Sequence, residues 1–193
     1  MAKRSMSDSQ LALSRLFSSG EEFDRVISVL QQYKKQALPA LVGLLQHPDP
    51  GWHRVAATAL GRLRQTPTRA LPGLIALLRS RDASDKVAAL CASEWLPRQA
   101  RDRTVPTVVR LLYSRPVAGP GFTHGRAHVP RSVAAHFLAS HGGARGVAAL
   151  KKAARRRNDP VIYQIDAALE KASAPPNKRL QPTATGAIKS RRG

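Results

Sequence analysis

With 193 residues and a mass of 20.9 kDa, the chain is long enough for one ordinary domain or a short array of repeats. Hydrophobic residues make up 42% and aromatics only 5%, weighted toward Ala, Leu and Val, which favours helices over sheet. Lys plus Arg number 32 against 12 Asp plus Glu, a net charge of +20, while the single Cys91 excludes an internal disulfide and suits a reducing compartment.

Residues 1–35 read as an N-terminal helical cap. MAKRSMSDSQ leads into a polar amphipathic stretch instead of the apolar core of a secretory signal. A helix within 7–18 is expected to pair with EEFDRVISVLQQY (21–33), which opens at Ser19 or Gly20 and carries acids in its first turn, where the helix dipole favours them.

The next stretch, ALPALVGLLQ from Ala37, returns as ALPGLIALLR from Ala70. Leu38 recurs as Leu71, 33 residues on, and as Val105 of TVPTVVRLLY, 34 beyond that. Each is followed by proline (Pro39, Pro72, Pro106), which is tolerated in a first turn because its missing N–H would have no partner there, so each motif is expected to open a helix. A second motif follows each: RVAATALGRL from Arg54, KVAALCASEWL from Lys86 and SVAAHFLASHG from Ser132. HPDPGW and SRDASD separate the paired helices, with Asp49 a candidate N-cap before Pro50. One helix–turn–helix unit cannot bury its apolar face alone; stacked copies share a continuous core. That core is predicted to contain Leu41, Leu44, Val55, Leu60, Leu74, Leu77, Val87, Leu90 or Cys91, and Val133.

The array is expected over 36–171, in units 36–66, 68–98, 102–142 and 145–171. Leu38 to Val55 spans 17 residues but Val105 to Val133 spans 28, so the third unit carries a loop insertion over 114–130. The last pair is VAALKKAARRR (147–157) and PVIYQIDAALEKA (160–172), with Asn158 or Asp159 as N-cap. Residues 172–193 lack periodicity and hold several breakers, which predicts a disordered basic tail. LQPTATGAIKSRRG also resembles a short tail on otherwise unrelated bacterial reading frames.

ALPALVGLLQHPDPGWHRVAATALGRL resembles a HEAT repeat of the short bacterial type, the kind also seen in phycobilisome lyase subunits. The resemblance is strongest over 36–66, good over 68–98, weaker over 102–142 and faint over 145–171. It implies an all-α fold, an armadillo-like right-handed α-α superhelix of about four pairs plus the cap, with the second helices lining a concave binding surface. In that family an Asp in the turn and an Arg at the start of the second helix often pair in a ladder. Asp49 with Arg54 matches this, Asp82 with Lys86 matches loosely, and the later units lack it.

Candidate binding residues are the cations. Arg54, Arg62, Lys86 and Arg131 would lie along the second-helix surface, interrupted by Glu94. Residues 114–160 hold +8 of the charge, and the sharpest cluster is Lys151, Lys152, Arg155, Arg156 and Arg157. On a helix 151 and 155 share a face, as do 152 and 156, so the cluster can grip phosphates with steep salt dependence. The competing reading is a solvated outer face on a terminal repeat.

No catalytic, metal or cofactor site is expected. His124 and His128 stand four apart in GPGFTHGRAHVP, with neither a Cys nor an acid nearby to complete a metal site. None of the six histidines precedes a Glu, and no Gly-rich phosphate loop or nucleophile elbow is present. Glu94 adjoins Trp95, but neighbouring helical residues point to different faces, and Trp95 is expected in the core. The sequence therefore predicts a non-catalytic scaffold that binds a protein partner, monomeric and cytoplasmic, with no membrane association. A nucleic-acid-binding or other polyanion-binding protein stands second, and an enzyme subunit related to lyases or glycosylases third.

Overall fold

The computed structural model describes residues 20–114, 129–156 and 159–173. These form α1 (Gly20–Gln32), α2 (Lys34–Leu44), α3 (Pro50–Arg62), a 3-10 turn (Thr68–Ala70), α4 (Leu71–Leu78), α5 (Ala83–Ser93), α6 (Arg98–Asp102), α7 (Val105–Leu112), α8 (Val129–His141), α9 (Gly143–Ala154) and α10 (Ile162–Ser173), with no strand among the described residues. The fold is an all-α, α-α solenoid. Helices pair as α2 with α3, α4 with α5, α7 with α8, and α9 with α10. The second helices α3, α5, α8 and α10 pack side by side in that order, and α4, α7 and α9 succeed one another in the facing layer. The expected helix within 7–18, the insertion, and the tail lie outside the described residues, apart from the insertion's ends at Ser114 and at Val129 and Pro130 and the tail's first residues Ala172 and Ser173, which are helical and complete α10.

Local chemistry sets most helix ends. Pro72 and Pro106 stand at the second positions of α4 and α7, as their spacing predicts. Pro39 does not open its helix: α2 starts at Lys34, and the proline sits inside it. The Tyr33 carbonyl accepts from the amides of Gln36 and Ala37, so the turn is nucleated upstream of the proline. Asp49 caps α3, accepting from the Gly51 amide, and Asp82 caps α5, accepting from Ser84 and Asp85. The C-terminus of α3 closes with Gln65 donating to Leu60 and Arg64 to Gly61, the paired bonds of a Schellman turn. Arg64 therefore takes the left-handed φ of 52°, and its guanidinium lies 5.4 Å from the Trp95 ring centroid. Trp95 is 39% exposed, which corrects the expectation that it is core: its ring stacks on a cation at the surface.

Between the layers Leu41, Leu44, Leu60, Leu74, Leu77 and Leu90 are buried, joined by Phe137, Leu138, Leu150 and Ile165. Each such side chain contributes about 1.5–3 kcal/mol on burial. Ala56, Ala57, Ala89, Ala134 and Ala135 are fully buried, because the repeated Val-Ala-Ala brings α3, α5 and α8 into close approach. Val55 and Val133 are half-buried and touch the core. Val87 and Cys91, four residues apart on one stripe of α5, face outward instead, and Leu90 takes the core position.

Candidate functional site

The four cations expected along the second-helix surface have three different fates. Arg54, in the second turn of α3, reaches Asp82 at 3.4 Å and Asp85 at 3.7 Å, tying α3 to the start of α5. Asp85 is held in turn by the Ser80 hydroxyl at 2.8 Å. Arg131, near the start of α8, is buried: its Nε donates to the Leu112 carbonyl at 2.9 Å and a terminal nitrogen donates to Asp159. This removes Arg131 from the open face, and it corrects the expectation that later repeats lack the ladder. The partner sits 28 residues on, in the next turn, as Asp82 does for Arg54. Burial opposes ionisation of Asp159, but the Arg131 hydrogen bond, the Val161 amide and the charges of Arg131 and Arg156 outweigh it and hold its pKa below the usual value.

Lys86 is also buried, at 7% exposure, so it does not line an open surface. Desolvation lowers its pKa, and Asp82 offsets that only in part. Position 114, 28 residues beyond Lys86, is a serine, so this rung has no acid at that spacing.

On the second-helix layer a groove of about 570 Å³ opens between α3 and α5. Arg54, Thr58 and Arg62 form one wall; Val87, Ala88 and Cys91 form the other; and Val129 stands at the α8 end. The α5 wall is apolar and the α3 wall carries two guanidinium groups. The Cys91 thiol has its pKa raised by burial and by the Glu94 charge, against its backbone hydrogen bond and Arg62, so it is a neutral thiol near pH 7.

The cluster on the last pair lies elsewhere. Lys151 and Lys152 are exposed in the last turn of α9, and Arg155 and Arg156 follow it, also exposed; Arg157 lies outside the described residues. The Arg156 guanidinium sits 5.0 Å from the Tyr113 ring centroid, and the Tyr113 hydroxyl donates to the Ala149 carbonyl at 2.7 Å. Arg156 therefore also braces α9 against α7. Since α9 belongs to the first-helix layer and Arg54 and Arg62 to the second, the predicted cations do not assemble into one track.

The family model of HEAT repeats matches residues 24–94. This stretch belongs to the HEAT-repeat family. The match runs from α1 to the residue after α5 and so includes both walls of the groove apart from Val129; it says nothing of the phycobilisome-lyase type. No curated protein matches the chain. The HEAT repeats thus carry the groove, while the basic cluster on α9 lies beyond the matched residues.

No group of three or more His, Cys, Asp or Glu that could hold a metal ion occurs among the described residues, and His124 and His128 lie outside them. His136 meets Lys171 at 3.1 Å, and His141 packs edge-on against Phe137 at 5.3 Å, so both have structural neighbours. No helix among the described residues is long and apolar enough to cross a membrane. Arg54 meets Asp82 and Asp85 of the next unit, while Asp49, its expected partner, caps α3, so the rungs became readable only with the layers assembled; the 28-residue offset shared by Arg54 with Asp82 and Arg131 with Asp159 is the sequence signal that would have found them.

Proposed function

We propose that the chain is a non-catalytic HEAT-repeat scaffold that holds a protein partner in the groove between α3 and α5. HEAT repeats generally mediate protein–protein interaction, and the observation that carries the reading to this site is the groove's composition. An apolar wall of Val87, Ala88 and Cys91 facing Arg54 and Arg62 suits a segment that presents an apolar anchor flanked by carboxylates. Arg54 keeps 45% of its side chain exposed while paired, so it can accept a further carboxylate from outside. In this reading the protein acts as a monomer in the cytoplasm and needs no cofactor.

Cys91 supplies the test, because it is the chain's single cysteine and opens into the groove. A benzophenone maleimide attached there should photocrosslink a protein that survives nuclease treatment, and blocking Cys91 with a bulky maleimide should remove that product. Crosslinks to nucleic acid alone would overturn the scaffold reading. The exposed Lys151, Lys152 and Arg155 favour a second reading, binding of nucleic acid through α9. It predicts binding that persists at about 150 mM salt, with a log–log salt slope that becomes shallower by about one unit for each of these three residues changed to Gln.

A further inference from the structure

A second cavity, of about 590 Å³, lies where α6 meets the junction of α8 and α9. Three guanidinium-bearing residues line it: Arg98 and Arg101 from α6, and Arg145 from the first turn of α9. Arg101 is anchored, donating through one terminal nitrogen to the Glu94 carbonyl at 2.9 Å, yet its Nε is buried without a hydrogen-bond partner. Arg98 and Arg145 are exposed at the cavity, and neither has an ion-pair or hydrogen-bond partner among the described residues. Cations usually turn outward and apart on a protein of this net charge. Here three line one concavity.

The backbone adds donors at the same place. The N-cap of α9 is Gly142, and no side chain caps the helix, so the amides of Gly143, Ala144 and Arg145, three residues that line the cavity, have no internal acceptor. The local packing explains why no Ser or Asp stands there. A Cβ on Gly142 would lie 2.6 Å from the Leu138 carbonyl oxygen and 2.7 Å from the Gly146 Cα, so the close return of α9 onto α8 admits only glycine. Gly143 then takes a φ of +54° to start the helix. The N-terminus is left for an acceptor from outside the chain.

The remaining lining narrows the ligand. Asp102 would repel a bare anion but accepts hydrogen bonds from hydroxyl groups, and the neighbouring Ser140 can do either. Apolar surface is limited to Val105 and Ala144, and no aromatic ring lines the cavity against which a base could stack, apart from the imidazole of His141. We propose that this cavity binds a hydroxyl-bearing phosphate monoester that carries no nucleobase, its phosphate held by Arg98, Arg101, Arg145 and the α9 amides and its hydroxyls by Asp102 and Ser140. His141, at the cavity wall, has its pKa lowered to about 4, by burial first and then by Arg101, Lys171 and His136, so it is uncharged at neutral pH and leaves the phosphate to the arginines.

The test uses the full chain, titrated at fixed ionic strength with ribose 5-phosphate, inorganic phosphate, AMP and ribose, and followed by calorimetry and by the amide resonances of Gly143, Ala144 and Arg145. Ribose 5-phosphate should bind more tightly than inorganic phosphate, ribose should not bind, and the three amides should shift. R98Q/R145Q, which changes two exposed arginines, should weaken ribose 5-phosphate by about tenfold or more, as expected for two lost charge-assisted hydrogen bonds. R79Q/R81Q removes the same charge from two exposed positions outside the cavity and should change the affinity less than about twofold. Equal losses in the two double variants would reduce the effect to net charge and overturn the site. So would AMP binding better than ribose 5-phosphate, unmoved amides, or no binding by any of the phosphates.

Discussion

Arg54 with Asp82 and Arg131 with Asp159 are the same device built twice. In each, a cation near the start of a second helix reaches an acid 28 residues on, Asp82 at the cap of α5 and Asp159 in the turn before α10. Their surroundings differ. The side chains of Arg54 and Asp82 are 45% and 43% exposed, whereas those of Arg131 and Asp159 are 7% and 6% exposed. Exposed charges keep their water and gain little by meeting, while buried ones have lost it and depend on each other. The first pair is a strut on the rim of the groove; the second is a polar part of the core. Lys86, between them, has the burial without an acid at that spacing.

The largest effect should therefore come from the buried rung. Asp159→Asn leaves the Arg131 charge buried and removes its counter-ion, and is expected to cost about 3–5 kcal/mol in urea unfolding at neutral pH. A loss below about 1 kcal/mol would erase the distinction between the two pairs.

Acid should separate the groups on the pH axis. The folded pKa of His141, about 4, lies below its unfolded value near 6.5, so the unfolded chain binds the extra proton and stability falls as pH drops from 6.5 toward 4. Asp159 also has a depressed pKa; its contribution is present above the unfolded carboxylate value and is lost as pH falls through the lower folded one. His141→Phe should flatten the first slope in thermal melts between pH 6.5 and 4 and leave the loss at lower pH in place. An unchanged slope above pH 4 would remove His141 from this account.

Lys86→Met tests the rung without an acid. Desolvation already disfavours the Lys86 ammonium, so an apolar chain of similar length should raise Tm by about 2 °C. A clear fall in Tm would mean that the ammonium has a stabilising partner after all. Smallest of all, Arg54→Ala should cost no more than about 0.5 kcal/mol in the same unfolding assay, because Arg54 and Asp82 are solvated and the less exposed Asp85 keeps its hydrogen bond from Ser80. A larger cost would make the exposed pair equivalent to the buried one.

Recurrence of Leu38 at Leu71 and Val105, with proline after each, was enough to specify paired helices, because a 33–34-residue period of apolar stripes has no other way to bury itself. The cap at Asp49 and most of the core leucines followed from the same local rules. Proline position proved less informative where an upstream carbonyl had already nucleated the turn, as Tyr33 does for α2. Side-chain burial on the second helices was not local information. Arg131 and Arg54 stand at similar places in similar motifs, and only the packing of α7 and the start of α10 against α8 covers one of them. The same holds for Val87 and Cys91, whose apolar character suggested core and whose stripe opens into the groove.

Periodicity, composition and the repeated Val-Ala-Ala thus determined the helices, their pairing and the stacking, since each of those depends on residues close in the chain or one repeat apart. Which cations are solvated, which are buried, and which line the cavity at α6 and α9 depends on distances between helices that no local pattern encodes. Charge free energy follows water access and neighbouring charge, and both are set only when the layers come together.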